Sequence, residues 1–267
     1  MKLRLLAVLA LIAWLSVPAL GDWDRGSAAF EQGDYAIALK EWRSSADQGD
    51  ARAQSMLGTM YSEGLGTPQN YAEAVRWYRL AAEQGNVLAQ YSLGVVHRDG
   101  HGTPQNYAEA LRWFRLSAEQ GLSMAQLNLG VMYSRGLGVS QDHAEAERWY
   151  RAAAEKGHAG AQYNLGIVLR DGLGVPQNYA EALDRFQQVA ERGVADAQHN
   201  LGVMYFNGQG APKNLVLAYK WTSLAAAQGY EDARHNLGVL ETLMTPDQIA
   251  EAQRLAAGAW ERIQGRQ

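Results

Sequence analysis

The sequence repeats one pattern every 36 residues, and this repeat limits the possible fold more than any other feature of the chain. Five rows of 36 residues align without a gap, and an altered sixth row follows them. The rows begin at Ala53, Ala89, Ala125, Ala161, Ala197 and, for the altered row, Ala233. Because a unit of this length cannot bury its apolar face alone, successive units are expected to stack on one another.

Each row has the pattern of two helices. In the first row, Ala53, Leu57 and Tyr61 recur at the spacing of one apolar helix face. Gly64 and Gly66 predict the end of this helix, since glycine adopts the left-handed backbone of a helix C-terminus. A second helix is predicted over residues 71–84, with apolar side chains on one face at Ala74, Trp77, Tyr78 and Ala81. The short connection between the two helices predicts that they are antiparallel.

A glycine lies inside the first helix of every row, where it costs about 1 kcal/mol relative to alanine. These glycines are Gly58, Gly94, Gly130, Gly166, Gly202 and Gly238. A cost that recurs in six rows indicates that another helix approaches closely at this position. The large side chains that are expected to fill the space between neighbouring units are Trp77, Trp113, Trp149 and Trp221.

The two consensus patterns of the rows resemble those of a known family. They read A-x-x-x-L-G-x-x-Y-x-x-G-x-G and N-Y-x-x-A-x-x-W-Y-x-x-A-A-E-x-G, and they are similar to the Sel1-like repeat, a relative of the tetratricopeptide repeat. The resemblance covers about residues 24–262. It implies an all-α fold, a right-handed α–α superhelix (solenoid) of helix-turn-helix repeats. It also implies a protein-interaction scaffold, since such repeats present an extended concave surface built by their first helices.

The repeat pattern predicts the domain organisation. A tetratricopeptide-like capping unit is expected at residues 24–52, followed by five repeats over 53–232 and a degenerate capping repeat at 233–267. The predicted repeats are 53–88, 89–124, 125–160, 161–196 and 197–232. In the last segment, Thr245, Pro246 and Gln248 have the spacing of a capping box at the start of a helix.

The first residues have the pattern of a secretory signal. Lys2 and Arg4 precede an apolar stretch at residues 5–17, and small residues follow up to Gly21. The stretch is shorter than the roughly 20 residues of a spanning helix, although a retained anchor is the alternative. We expect a signal peptide at residues 1–21 with cleavage after Gly21, a periplasmic or secreted chain, and no integral membrane segment after cleavage. The formal net charge of −4 gives no reason to expect nucleic acid as a partner.

The polar residues on the free side of the first helices are the candidate partner-binding site. The most regular of them are four asparagines one repeat apart, a spacing of about 10 Å given the diameter of a helix. An asparagine amide both donates and accepts hydrogen bonds, so a column of them can bind the backbone of an extended peptide. In the related tetratricopeptide repeats the matching asparagine contacts bound peptide. The candidate residues are Tyr91, Arg98, Asn128, Arg135, Tyr163, Asn164, Arg170, His199, Asn200, Phe206 and Asn236.

Each group of candidate residues has a stated role and an alternative. The aromatic and histidine side chains are expected to form pockets, and Arg98, Arg135 and Arg170 to hold a carboxylate. The alternative is that the asparagines bond to the backbone of the neighbouring repeat and keep the units in register.

The sequence does not predict an enzyme. It contains no cysteine and no G-x-S-x-G motif, and the paired cysteines of those family members that act on penicillin-like compounds are missing. His199 and His235 share a column, but no third ligand accompanies them, so no metal and no cofactor are expected. The leading hypothesis is a non-catalytic scaffold that holds a protein or peptide segment in its concave groove. The alternatives are a structural part of an envelope, polysaccharide or secretion assembly, and a lactam-binding or lactam-hydrolysing protein.

Overall fold

The computed structural model describes residues 21–265, and within them the chain forms fourteen α-helices and no strand. The predicted all-α fold class is therefore confirmed. The signal peptide predicted at residues 1–21 lies outside the described residues, except that Gly21 begins the first helix. No helix within the described range is long and apolar enough to cross a membrane. The helices are α1 (Gly21–Glu31), α2 (Tyr35–Asp47), α3 (Ala51–Glu63), α4 (Tyr71–Glu83), α5 (Val87–Asp99), α6 (Tyr107–Glu119), α7 (Ser123–Arg135), α8 (His143–Glu155), α9 (Ala159–Asp171), α10 (Tyr179–Ala190), α11 (Ala195–Asn207), α12 (Leu215–Ala227), α13 (Glu231–Leu243) and α14 (Pro246–Gln264).

The helices form two compact units, one up to Trp113 and one from Phe114 onwards. In the first unit, α1 packs against α2, α2 against α3, α3 against α4 and α4 against α5. In the second unit, α7 to α13 pack in the same sequential way. The helix pair predicted for each row is thus the unit of packing. At the C-terminal end the order changes, because α12 packs against both α13 and α14.

The loop inside each repeat is fixed by glycines and by a side-chain cap. Gly64 ends α3 with a φ of 73°, and Gly66 also has a positive φ, of 68°. A side chain at Gly66 would also clash in this conformation, because a Cβ there would lie 2.6 Å from the backbone of Tyr35. The second helix then begins at Asn70, whose side-chain oxygen accepts a hydrogen bond from the N–H of Glu73 at 3.1 Å.

The core of the repeats consists of small and branched residues at fixed positions. Fully buried alanines recur in both helices of each repeat, and a fully buried leucine lies one turn after the alanine of the first helix. Alanine lets the helices approach closely, and the leucine fills the remaining space, so the same packing recurs in each row. These residues are Ala53, Ala89, Ala125, Ala161 and Ala197; Ala74, Ala110, Ala146, Ala182 and Ala218; and Leu57, Leu93, Leu129, Leu165 and Leu201.

A buried glutamine follows the alanine of each first helix and joins it to the preceding repeat. Its side-chain amide donates to the carbonyl of the residue eight positions earlier, which lies in the last turn of the preceding second helix. Each of those carbonyls also accepts a hydrogen bond from the N–H of the glycine that follows its helix, so the glutamine amide uses the second lone pair of the oxygen. The five bonds join Gln54 to Ala46, Gln90 to Ala82, Gln126 to Ala118, Gln162 to Ala154 and Gln198 to Ala190, at 3.1–3.5 Å.

The glycine inside the first helix faces an aromatic ring in three of the repeats. A Cβ at Gly130 would lie 2.6 Å from the ring of Tyr150, and one at Gly166 would lie 2.9 Å from the ring of Phe186. The close approach predicted from the sequence is confirmed at these glycines. At Gly130 both a side chain, Tyr150, and the backbone of the facing helix lie close to the glycine. For Gly238 the prediction was wrong, because no atom lies within 4 Å of a Cβ at that position.

The last helix begins at the capping box that the sequence predicts. The Thr245 hydroxyl accepts a hydrogen bond from the N–H of Gln248 at 3.3 Å, and the Gln248 side chain accepts one from the N–H of Thr245 at 3.0 Å. Pro246 occupies the first helical position, where its missing N–H costs nothing. The helix α14 packs on α12 through buried residues that include Ala252 and Ala256.

Alanine should have opposite effects at two glycines of this column. We expect Gly130→Ala to lower the free energy of unfolding by about 1–3 kcal/mol, because the methyl group would overpack against Tyr150. Gly238→Ala should raise it by up to about 1 kcal/mol, because the site is open and alanine favours the helix. Urea unfolding of the two variants followed by circular dichroism measures both effects. Stabilisation by Gly130→Ala would contradict the packing described here.

Candidate functional site

The predicted asparagine column lies on the first helices of the second unit. Asn128, Asn164, Asn200 and Asn236 occupy the same position in α7, α9, α11 and α13, and all four side chains are half-buried. They are thus in contact with the protein on one side and with solvent on the other. Two further candidates, Tyr91 and Arg98, occupy the related face of α5 in the first unit and are half-buried as well.

Asn200 is held between two neighbouring repeats. Its side-chain oxygen accepts a hydrogen bond from Arg170, and its side-chain nitrogen lies 3.3 Å from the hydroxyl of Tyr163. The same nitrogen donates to the carbonyl of Asp196, one turn earlier in α11, at 2.8 Å. The structure therefore brings three predicted site residues together, and Asn200 links α9 to α11. For Asn200 this arrangement favours the alternative that the asparagine keeps neighbouring repeats in register. The bonds go to side chains of the neighbouring repeat, whereas the alternative expected bonds to its backbone.

The other asparagines of the column differ from Asn200. The Asn128 amide donates to the carbonyl of Met124 in its own helix, at 2.8 Å. Among the residues that the structure describes, the side chains of Asn164 and Asn236 make no hydrogen bond within the protein. Their donors and acceptors are available to a partner, so the column combines an asparagine that joins repeats with two that face outwards.

Two of the three candidate arginines are already paired with carboxylates. Arg98 binds Asp99 through two hydrogen bonds of 2.7 Å, and Arg170 binds Asp171 at 2.7 and 2.9 Å. Hydrogen bonding to Asp99 raises the pKa of Arg98, and the same pair lowers the pKa of the Asp99 carboxyl. Arg135 is exposed at the end of α7. Of the three, Arg135 is the one best placed to meet a carboxylate of a partner.

The candidate aromatic and histidine side chains pack against neighbouring rings. The Tyr163 ring meets Phe186 edge-on with centroids 5.7 Å apart, and the His199 ring stacks on Tyr230 at 4.7 Å. Burial raises the pKa of the Tyr163 hydroxyl and lowers the pKa of His199, so both are neutral at pH 7. Phe206 packs in the core cluster around α12 and α14, with the ammonium of Lys213 at 4.7 Å from its ring centroid.

No group of three or more histidine, cysteine or acidic side chains that could hold a metal ion occurs in the part of the chain that the structure describes. His199 faces Tyr230, while His235 is exposed on α13. The two histidines that share a sequence column therefore have different surroundings.

The candidate set drawn from the sequence omits one residue, Thr222, that shapes this face. Thr222 lies in α12 and, together with Phe206 and Asn236, lines a cavity of about 170 Å³ between α11, α12 and α13. The signal in the sequence is that threonine stands here where the equivalent residue is aromatic, as at Tyr150 and Phe186.

The repeats of this chain match a known protein family. The Sel1 repeat family matches five consecutive segments, at residues 51–86, 87–122, 123–158, 159–194 and 195–230. The chain belongs to the Sel1 repeat family. Each matched repeat begins with the first residue of α3, α5, α7, α9 or α11, two residues before the corresponding row of the sequence analysis. Proteins of this family are generally non-catalytic scaffolds for protein–protein interaction.

Two solved structures are similar over most of the chain. A protective antigen of uropathogenic Escherichia coli with an SLR fold is 32% identical, with a TM-score of 0.80 over 92% of this chain. This chain spans about half of that protein, 53% of its length. A Sel1 repeat protein from Oxalobacter formigenes is 30% identical, with a TM-score of 0.74, and the match covers 88% of this chain and 96% of that one. No curated protein matches the chain.

A buried histidine in α5 has no hydrogen-bond partner. Neither ring nitrogen of His97 is bonded, and burial lowers the pKa of this side chain, with opposing effects from Glu109 and Arg79. In the neighbouring repeats this position holds a tyrosine. The hydroxyl of Tyr61 accepts a hydrogen bond from Arg43 at 2.9 Å, and Arg79 stands at the matching position for His97.

The asparagine column should divide into two groups in measurements of stability. We expect Asn200→Ala to lower the free energy of unfolding by about 1 kcal/mol, because it breaks the link to Arg170 and Tyr163. Asn164→Ala should change it by less than about 0.5 kcal/mol, because no bond within the protein is lost. Equal destabilisation by both substitutions, measured by urea unfolding, would mean that the whole column maintains register.

The buried histidine should make stability depend on pH. Because the pKa of His97 is lower in the folded chain, the unfolded chain takes up the proton first as the pH falls. Stability should therefore be greatest above the unfolded pKa of about 6.5 and should fall on acidification towards pH 5. His97→Tyr should reduce this dependence and raise the melting temperature by providing a hydroxyl for Arg79. Melting curves at pH 5 and 8 test this, and an unchanged pH dependence in the variant would contradict it.

Proposed function

We propose that the chain is a non-catalytic scaffold that holds an extended segment of a partner protein against the first helices of its second unit. The observation that carries this proposal is the pair of asparagines, Asn164 and Asn236, whose amides make no bond within the described protein. Asn164 and Asn236 lie two repeats apart, a separation of about 20 Å, which is about six residues of an extended chain. An amide that both donates and accepts at this interval suits the backbone of an extended peptide.

The side chains next to the asparagines support the same role. Tyr163 and Phe206 offer ring surface beside the column, and Arg135 offers an exposed cation at the end of α7. Aromatic and arginine side chains contribute most of the binding energy in many protein interfaces. The Asn200 contacts hold α9 and α11 at a fixed spacing, so the surface does not have to be ordered when a partner binds.

We propose a periplasmic or secreted location for this scaffold. The charged start and the short apolar stretch at residues 5–17 support it, because they have the pattern of a cleaved signal peptide. The similar E. coli protein is a protective antigen, and an exported location would make such a protein accessible to antibodies.

A capture experiment tests the proposal. The chain without residues 1–21 is immobilised and exposed to an envelope extract of the source organism, beside the double variant Asn164→Ala/Asn236→Ala. The expected result is a protein retained by the unmodified chain and retained at least about tenfold less by the double variant, since at least two backbone hydrogen bonds of about 1 kcal/mol each are lost. The matched control is Arg148→Ala, which removes an exposed side chain of the second helix α8.

The outcomes separate the alternatives. Equal capture by all three proteins would place the contact away from the asparagine column. Loss of capture with Arg148→Ala alone would favour a structural role in an assembly that uses the second helices. Absence of any captured protein would contradict the scaffold proposal and would return small ligands to consideration. Melting curves of both variants, expected to agree with the unmodified chain within a few degrees, exclude unfolding as the cause.

A further inference from the structure

Three of the repeats contain a space that is filled by one of their own aromatic rings. We call this space the ring slot: it lies beside the glycine of the first helix and is occupied by a ring from the second helix of the same repeat. The pairs are Gly58 with Tyr78, Gly130 with Tyr150, and Gly166 with Phe186. Each ring is at least 96% buried, so the slot is part of the core in these repeats.

The residues around the ring show where each slot opens. The Tyr78 hydroxyl lies 3.3 Å from that of Thr59 in the first helix, and the side chains of Ser62 and Ser92 are close enough to lower the pKa of Tyr78 against the rise that burial causes. Ser92 belongs to the first helix of the next repeat. A slot is therefore bounded by both helices of one repeat and by the first helix of the next, and the far end of the ring reaches Ser92, which has the sequence position that asparagine occupies in later repeats.

The fifth repeat keeps the slot and lacks the ring. Thr222 stands at the position of Tyr78, beside Gly202, and its hydroxyethyl side chain has no ring. The residues equivalent to Thr59, Ser62 and Ser92 are Val203, Phe206 and Asn236. All three line the cavity of about 170 Å³ at this place. The cavity is thus the vacant ring slot of the fifth repeat.

The walls of the vacant slot suit an apolar ring. Val203 and Phe206 replace the hydroxyl-bearing residues that surround Tyr78, and Val239 and Leu240 complete the lining. An apolar cavity of about 150 Å³ accepts a benzene ring, which is close to the volume available here. Val239 is 42% exposed, so the cavity is accessible from solvent at this side.

We propose that the vacant ring slot binds an aromatic side chain, phenylalanine or tyrosine, of the partner segment held by the asparagine column. The inference rests on the proposed function and adds a specificity pocket to it. The choice of occupant follows from the protein itself, because Tyr78, Tyr150 and Phe186 occupy the same space in other repeats. The choice of a peptide follows from Asn236, which belongs both to the wall of the slot and to the asparagine column. A peptide backbone bonded to that amide would have a side chain next to the opening.

The first test measures binding of a single residue, N-acetyl-phenylalanine amide, by NMR of the methyl-labelled chain. Saturable shifts are expected for the methyl groups of Val203, Val239 and Leu240, and not for those in other repeats. N-acetyl-alanine amide should cause no such shifts. Absence of localised shifts with the aromatic probe would overturn the proposal, whatever the behaviour of the variants.

The second test fills the slot by substitution. Thr222→Phe restores the residue type of Phe186, so it should raise the melting temperature and weaken binding of the probe at least tenfold. The matched control, Ala227→Phe, adds the same ring at an exposed position of α12 and should leave binding unchanged. Unchanged binding to Thr222→Phe would overturn the proposal. If this variant does not fold, the proposal is judged by whether the NMR shifts of the unmodified chain are confined to Val203, Val239 and Leu240.

The third test distinguishes this inference from the proposed function. A library of random peptides is selected on the unmodified chain, and the selected peptides are then measured on Thr222→Phe and Asn164→Ala. Peptides with one recurrent aromatic residue that lose binding to both variants support both proposals. Peptides whose binding depends on Asn164 but shows no aromatic preference would contradict the proposed role of the ring slot and would still support the scaffold function. If N-acetyl-phenylalanine amide binds but the library yields no binding peptide, the proposal that a peptide side chain occupies the slot is contradicted.

Discussion

The buried glutamine in each first helix is the interaction on which the stacking of repeats depends. An amide buried at this position must bond to something, because an unpaired buried polar group costs about 1–3 kcal/mol. The partner is a carbonyl in the last turn of the preceding helix, and this carbonyl also accepts a hydrogen bond from the N–H of the glycine that follows that helix. The glutamine therefore satisfies its own buried amide by using the second lone pair of a carbonyl that is already bonded. Apolar contacts between repeats supply much of the stability, whereas this bond fixes one register between successive helices.

The hydrogen bonds to the side-chain oxygen of the same glutamine differ between repeats, although the fold of the repeats is the same. Gln54 and Gln198 each accept a second bond from a glutamine of their own repeat, Gln84 and Gln228, at 2.7 and 2.8 Å. In the third repeat that position holds Lys156, which donates to the carbonyl of Gly121, and the oxygen of Gln126 has no partner. The bond to the preceding helix persists while the second one is lost. The side-chain nitrogen of the glutamine thus maintains the register between successive repeats. The bonding of its side-chain oxygen differs from one repeat to another.

Much of the fold could be predicted from the sequence, because repetition averages out local ambiguity. The second helix expected at residues 71–84 is observed as Tyr71–Glu83, and the capping box at Thr245 is present as expected. The candidate site was harder to predict, because each side chain depends on residues in other rows. Asn200 bonds to Arg170 and Tyr163, which are 30 and 37 residues away, whereas Asn164 lacks such bonds among the described residues. One column of identical residues therefore has two structural roles that its spacing does not distinguish.

The same dependence on neighbours explains why a pocket would arise at the end of the array. A ring in the middle of a stack is enclosed by the next repeat, so its loss would leave a closed cavity at a cost of several kcal/mol. In the fifth repeat the following helix, α13, is more open: Val239 is 42% exposed and Gly238 has no atom within reach of a Cβ. A missing ring there leaves a cavity that solvent or a ligand can enter, and this costs less than an empty space in the core. A repeat protein can thus gain a binding pocket by losing one core side chain, provided that the loss occurs where the following helix leaves the cavity open.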